Sequence, residues 1–295
     1  MRKPLFKGAG VAIITPFDSN GDIYYERFGQ LIDYQIQNCT DAIIVCGTTG
    51  EASTMTNDEH LNTISYCIEK VNHRVPVIAG TGSNDTAYAI WLSQRAEALG
   101  ADGVLLVSPY YNKTTQRGLV KHFSAIADSI HIPAILYNIP GRTGLNIDIS
   151  TMKELTHVEN IWGVKEASGN ISYVAKLIAE CGDKFDVYSG NDDMILPVMS
   201  LGGKGVISVL SHIVPYETHR MVKECLKNNF VEATQIQLTY LELINALFCE
   251  VNPIPVKAAL NLMGFEVGHC RLPLCDMTPE HEFMLKNAMM KLGLC

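Results

Sequence analysis

No apolar stretch of this 295-residue chain approaches the ~20 residues needed to cross a bilayer. Pro4 and Gly8 interrupt the first residues, so no secretory leader is expected there. Lysine and arginine never gather in a run, and the formal net charge is −8. Neither nucleic acid nor an anionic membrane is therefore an expected partner. Zinc-type spacing is missing too: Cys270 and Cys275 lie close together, but no second Cys or His pair completes a set, and no metal site is expected. The nine cysteines are odd in number and scattered. They suit small buried hydrophobes in a reducing cytoplasm better than a disulfide framework. There is no P-loop, no G-x-S-x-G and no H-E-x-x-H. "GTGSND" (80–85) resembles half of a dinucleotide fingerprint but lacks the third glycine.

What the chain does contain is a repeated alternation. Eight short runs rich in β-branched residues recur: "GVAIITPF" (10–17), "DAIIVCG" (41–47), "PVIAGTG" (76–82), "DGVLLVSP" (102–109), "PAILYNIP" (133–140), "IWGVKEA" (161–167), "FDVYSGN" (185–191) and "GVISVL" (205–210). They are continuously apolar, as parallel strands covered on both faces should be. Amphipathic segments follow them. In "NDTAYAIWLSQRAEALG" (84–100), Ala87, Ile90, Trp91, Gln94 and Ala98 fall near helical spacing, with Gly100 as the stop. Asn57, Asn84, Asn170 and Asn191 stand where N-caps belong. Eight β-then-α units with short connections predict a closed (β/α)8 TIM barrel over residues 1–229, with an open doubly wound sheet as the rival. Beyond 229 the strand signal stops. Residues 230–251, 253–265 and 279–293 predict three helices, a C-terminal extension over 230–295 packed on the barrel.

In such a barrel the chemistry sits at the C-terminal strand ends. Those ends carry Thr15, "GTTGE" (47–51), "GTGSND", "SPYYNK" (108–113), "YNIPGRTG" (137–144), Lys165, "SGND" (189–192) and Ile207. Polar and charged groups gather there on otherwise apolar strands. Lys165 interrupts an apolar run. It is either a strand-end lysine whose stem packs while its head reaches water, or an amine held in an apolar pocket. The second arrangement disfavours the ammonium and makes a nucleophile able to form a Schiff base. Tyr137 is either a core aromatic or a hydroxyl able to pass protons during imine formation. Arg142 can hold a carboxylate bidentately, although its turn, taken alone, favours an exposed surface arginine. "GTTGE" offers backbone N–H groups and two hydroxyls to an anion, a weak signal by itself. Asp192 and Asp193 read as carboxylates at a helix N-terminus.

With Lys165, Tyr137, "GTTGE" and "YNIPGRTG" in this order and spacing, the sequence resembles the dihydrodipicolinate synthase family. That family lies within the N-acetylneuraminate lyase group of pyruvate-dependent class I aldolases. The resemblance runs from "GAGVAIITPF" to the helical C-terminus. It implies that Lys165 forms an imine with pyruvate, with no other cofactor, and that the derived enamine attacks L-aspartate 4-semialdehyde in lysine and diaminopimelate biosynthesis. It further implies a proton relay of Tyr137, Thr49 and Tyr111, the last supplied by a neighbouring subunit. Thr48 and Thr49 would contact the pyruvate carboxylate, Arg142 the semialdehyde carboxylate, and the backbones of Gly190 and Ile207 the pyruvate pocket. A homotetramer of two tight dimers is the implied assembly.

Sialic-acid and sugar-acid lyases share the lysine and tyrosine, but the paired threonines of "GTTGE" and the arginine of "GRTG" take the synthase form. A related pyruvate aldolase acting on a sugar acid or a 4-hydroxy-2-oxo acid is the second enzyme reading. A non-catalytic oxo-acid sensor is the third, disfavoured because a sensor needs no imine-forming amine. Feedback-inhibited members bind lysine through positions matching Ala52, Ser53, Asn57, His60, Asn84, Tyr88 and Tyr110. Here Asn57 stands in place of a histidine and Tyr88 in place of a glutamate. The resemblance therefore implies a degenerate regulatory site, with weak or absent inhibition by lysine.

Overall fold

Eight parallel strands close on themselves in sequence order, from β1 beside β2 round to β8 beside β1. The structure, a computed structural model, describes residues 3–295. The strands are β1 (Gly8–Ala12), β2 (Ala42–Val45), β3 (Val77–Gly80), β4 (Gly103–Val107), β5 (Ala134–Asn138), β6 (Ile161–Glu166), β7 (Asp186–Ser189) and β8 (Gly205–Ser208). Seven of the eight apolar runs contain a whole strand; β1 begins at Gly8, ahead of its run, and overlaps it only at residues 10–12. Helices alternate with the strands as a (β/α)8 barrel requires.

Two apolar cores explain why the runs are continuous rather than alternating. One set of strand residues, among them Val11, Ile43, Val104, Leu136 and Val164, packs outward against the helices. The other set, Ala12, Ile44, Ile78, Leu105, Ile135, Tyr137, Tyr188 and Ile207 with Phe6, fills the barrel interior. Successive strand side chains alternate between these cores, so all strand positions but Val107 and Trp162 are buried whichever way they point. Space inside is tight at the bottom of the barrel. A Cβ on Gly205 would lie 2.0 Å from the Gly8 carbonyl oxygen, so glycine is what lets β8 and β1 approach there. Phe6 plugs that end by stacking on Tyr188, with ring centroids 4.4 Å apart, and its carbonyl accepts the Tyr188 hydroxyl at 2.8 Å.

Several local expectations need correction. Thr56, not Asn57, caps the helix Asn57–Val71, through a capping box with Glu59. Asn57 becomes its first helical residue, which frees its side chain. Asp85, not Asn84, caps Thr86–Leu99. Asn170 caps Ile171–Cys181 as expected, whereas the Asn191 side chain makes no capping bond. In Thr86–Leu99 the buried face is Ala89, Leu92, Ser93 and Ala96, not the Ala87–Ile90–Trp91–Gln94–Ala98 stripe. Apolar residues occupy both sides of this helix, and Trp91 spends its ring on Tyr88 (centroids 5.6 Å apart).

The C-terminal region has four helices rather than three: Phe230–Thr239, Leu241–Leu247, Ile254–Leu262 and Pro279–Lys291. The apolar spacing runs on through Ile236, Tyr240, Leu243 and Leu247, so periodicity alone cannot see the break. Thr239 donates its hydroxyl back to the Gln235 carbonyl at 2.8 Å, a bond that bends helices, and Tyr240 leaves helical geometry at φ −95°, ψ 2°. All nine cysteines are free thiols, and no helix among the described residues is long and apolar enough to cross a membrane.

Candidate active site

Lys165 lies near the C-terminal end of β6, in register with Tyr137 on β5 and Tyr188 on β7. Strand alternation sends its side chain inward with those two rings, while its neighbour Glu166 points outward. The side chain is buried at 6% exposure, which excludes the snorkelling alternative. Its Nζ sits 4.3 Å from the centroid of the Tyr137 ring. Burial pushes the amine down to about 8, helped by the Arg142 guanidinium and opposed by the Asp192 carboxylate. At pH 7 roughly a tenth of such amines are neutral, against fewer than about one in a thousand for a free lysine. The Tyr137 hydroxyl is pushed the other way, up to about 12, chiefly by burial. It is therefore protonated at neutral pH.

The strand's outward face carries a supporting network. Register pairs Asn138 with Glu166 one step beyond Tyr137 and Lys165. The Glu166 carboxylate accepts from Asn138 Nδ2 at 2.7 Å and from the Ser168 amide at 2.6 Å. Asn138 in turn receives the Ile147 amide at 3.1 Å, so the ends of β5 and β6 are fixed by hydrogen bonds at all these points. Asp192 opens the short helical turn Asp192–Met194, but its carboxylate bonds elsewhere. Buried, it accepts the Ser208 hydroxyl at 2.6 Å and the Val209 and Leu210 amides at 3.0 and 2.8 Å. This pins the loop after β8 and leaves a carboxylate near Lys165. Gly190 follows β7 closely: its amide donates to the Glu166 carbonyl at 2.7 Å, and a Cβ there would lie 3.1 Å from Lys165 Cε. Ile207 on β8, 1% exposed, packs in the inner core that also holds Tyr137 and Tyr188.

"GTTGE" forms a tight turn closed by the Gly50 and Glu51 amides on the Gly47 and Thr48 carbonyls, each at 3.1 Å. Among the described residues the Thr48 and Thr49 amides donate to none, so both remain for an anion. The turn is flanked by Cys46 and Glu51 with left-handed φ of 55° and 56°, an unfavourable conformation for either residue. Glu51 is held there by a buried ion pair, 2.7 Å to Lys257 Nζ, and by the Arg271 amide at 2.8 Å. Both partners come from the C-terminal region. Thr49 is likewise held from that region, accepting from Asn252 Nδ2 at 2.9 Å, and the Asn252 carbonyl accepts from Arg142 at 3.1 Å.

A cavity of about 450 Å³ is lined by Thr48, Tyr137 and Arg142 together with Ala52, Ser53, His60, Tyr88 and Tyr110. Its wall includes Tyr137 but not Lys165. Tyr111 is not brought to this site by its own chain: it is 94% exposed on a left-handed residue at φ 64°. In the second cluster the two replaced positions have found each other, the Tyr88 hydroxyl donating to Asn57 Oδ1 at 2.8 Å. Asn57 and Asn84 are not on the cavity wall; the Asn84 carbonyl receives Asn112 at 2.9 Å. His60 Nε2 bonds the Gly80 carbonyl at 2.9 Å, and burial disfavours its charged form. No aspartate or glutamate lines the cavity.

Asp192, Glu166, Asn138 and Asn252 were not singled out as site residues by the sequence. Asp192 stands in the right loop; the other three carry no local signal, because Asn138 and Glu166 act through each other across two strands and Asn252 through barrel residues far away in sequence.

A parallel barrel with a buried amine, a paired phenol and an anion-ready turn at its C-terminal rim defines a class I aldolase type of enzyme. The chain matches the model of the dihydrodipicolinate synthetase family over residues 5–292. It is 59% identical over 294 residues, the full length of both chains, to the 4-hydroxy-tetrahydrodipicolinate synthase of Acetivibrio thermocellus. Among solved structures, the dihydrodipicolinate synthase of Aquifex aeolicus superposes with a TM-score of 0.96 at 44% identity, covering 98% of this chain and 99% of the other. The enzyme of Cyanidioschyzon merolae, solved with lysine bound, gives a TM-score of 0.96 at 43% identity over 99% and 100% of the two chains. The chain belongs to the dihydrodipicolinate synthetase family.

Proposed function

We propose that the chain is a 4-hydroxy-tetrahydrodipicolinate synthase that condenses pyruvate, held as an imine on Lys165, with L-aspartate 4-semialdehyde. The observation that carries this reading is the buried Lys165 amine, shifted to about 8 beside a protonated Tyr137. The neutral amine attacks the pyruvate carbonyl to give a carbinolamine, and loss of water gives the imine. A methyl proton then leaves, and the enamine carbon bonds to the aldehyde carbon of the second substrate. That substrate's own amine attacks the imine carbon, closes the ring and expels Lys165 as a free amine. Tyr137, still protonated at pH 7, can donate to the departing hydroxyl and take the proton back. Thr48 and Thr49, with their amides undonated, suit the pyruvate carboxylate, and Arg142 suits the carboxylate of the semialdehyde. Gly190 and Ile207 bound the space at Lys165. Tyr111, so exposed on its own chain, supports the reading that it completes a neighbour's relay in a cytoplasmic homotetramer of two dimers.

The test is intact-protein mass after borohydride reduction in the presence of pyruvate. One reduced pyruvate on wild type and none on Lys165→Ala is the expected result. Unmodified wild type would remove the aldolase mechanism. Assay with the semialdehyde against sugar-acid and 4-hydroxy-2-oxo-acid substrates then separates the synthase from the related aldolases.

The regulatory cluster leads to a second expectation. A lysine ammonium there meets no carboxylate on the cavity wall, and the Tyr88 hydroxyl is already engaged by Asn57. An unpaired desolvated ammonium costs roughly a few kcal/mol of affinity, so lysine should inhibit weakly or not at all. Steady-state rates that fall steeply at sub-millimolar lysine would overturn this.

A further inference from the structure

The turn "GTTGE" sets Gly47 and Thr48 on the cavity wall that also holds Tyr137. Its shape hinges on the peptide between Gly50 and Glu51. The Gly50 carbonyl accepts the Thr15 hydroxyl at 2.8 Å, and the Glu51 amide closes on the Thr48 carbonyl at 3.1 Å. Both bonds go with Glu51 at φ 56°, ψ 31°, a left-handed conformation that glycine takes freely and other residues rarely. Glutamate stands there nonetheless, with both carboxylate oxygens tied to the C-terminal region. Oε1 accepts from Lys257 Nζ at 2.7 Å, and Oε2 from the Arg271 amide at 2.8 Å. Lys257 is itself fixed, donating to the His269 carbonyl at 2.8 Å and lying 4.2 Å from the centroid of the Phe17 ring. The Lys257 and Glu51 side chains are only 2% and 1% exposed. Well-packed neutral residues of similar volume often serve a fold as well as such a pair, or better, so stability gives little reason for these charges at this turn.

We infer that Glu51 and Lys257 are positioning residues for pyruvate, their ion pair holding position 51 left-handed and with it the turn that offers the Thr48 and Thr49 amides to the substrate carboxylate. With the chain ends fixed, a return of φ to negative values turns the 50–51 peptide over. The bonds to Thr15 and Thr48 then break, and the turn opens. Affinity for pyruvate falls in proportion to the fraction of molecules that keep the closed turn. Chemistry at Lys165, on another strand, is spared once pyruvate is bound. The inference rests on the aldol reading above.

The experiment compares Glu51→Ala with Glu51→Gly, each made together with Lys257→Met so that no buried charge of the pair is left alone. The two double variants differ by one methyl group, which penalises the left-handed conformation. KM for pyruvate is expected to be about five- to thirtyfold higher for Glu51→Ala than for Glu51→Gly, while kcat differs between them by less than about threefold. Melting temperatures are followed in parallel. Equal KM in the two, or a wild-type KM in the Glu51→Ala variant, would overturn the inference, and so would a difference confined to melting temperature, which marks a purely structural pair. Should either variant fail to fold, Glu51→Gln and Glu51→Asn in the same background make the comparison with a fuller side chain. Asparagine enters the left-handed region several-fold more readily, so KM should then be higher for Glu51→Gln. If wild type cannot be trapped with pyruvate by borohydride, the aldol reading fails and this one with it. If wild type is trapped and the paired variants share one KM, this inference alone fails.

Discussion

Lys165→Met is expected to abolish the pyruvate adduct and, at pH 7, to make the protein more stable than wild type. The sign follows from linkage. The folded-state value of about 8 lies below the ordinary lysine value of 10.5, so between those limits the unfolded chain binds more protons than the native one. Stability contributed by this group rises with pH across that window, and below about pH 8 the native state carries the full cost of a buried ammonium. That cost is roughly 3 kcal/mol. Methionine fills a similar volume without charge, so denaturant midpoints should favour the variant by about 2–3 kcal/mol at pH 7, with the gap narrowing towards pH 10. Equal stabilities at pH 7, or a gap that persists at high pH, would contradict the assignment. In wild type the rate of adduct formation should climb roughly tenfold per pH unit below about 8 and level off above it, because only the neutral amine attacks.

The second large effect is expected at Gly190, where no side chain fits. A methyl group there would sit 2.7 Å from the Ala167 Cβ, 3.1 Å from the Glu166 carbonyl oxygen and 3.1 Å from Lys165 Cε. Two of these are fixed by β6 and the residue after it, leaving the lysine stem as the mobile partner. Gly190→Ala should therefore displace the reacting amine and lower the adduct-forming rate by about 10–100-fold, since sub-ångström placement governs such steps. Overpacking should also cost about 1–3 kcal/mol of stability. Trapping kinetics and urea denaturation measure the two separately. A variant that forms the adduct at the wild-type rate would show that the wall at Gly190 yields without moving Lys165.

These two predictions stand at opposite ends of what could be read before the fold was known. Lys165 announced itself, because a lysine closing an apolar run is rare enough to ask for a reason. Gly190 was marked only by resemblance. Its meaning is a distance between β6 and β7, which no local pattern carries. The same contrast holds along the chain. Continuous apolar runs were enough to predict parallel strands, but not which residues face the inner core with Tyr137 and which face the helices. Both environments are apolar, so hydropathy cannot divide them. For a similar reason the sequence points to Asn57 and Asn84 where Thr56 and Asp85 cap: adjacent residues with equal capping ability are separated only by the geometry of the chain entering the helix.

The strand count, the barrel, the lysine that interrupts an apolar strand and the motifs that place the chain in its family are all legible in the bare chain. Each of these rests on local composition and spacing, which the chain displays openly. The folded chain alone sets the reach of the C-terminal region into the site. Asn252 bonding Thr49 across 203 residues of sequence, and Lys257 bonding Glu51 across 206, are contacts between segments that share no periodicity. It also decided that Tyr88 and Asn57, 31 residues apart, share a hydrogen bond. The lowered basicity of Lys165 belongs to the same class. It is a property of the low-dielectric space that eight strands enclose, and it exists only once they have closed.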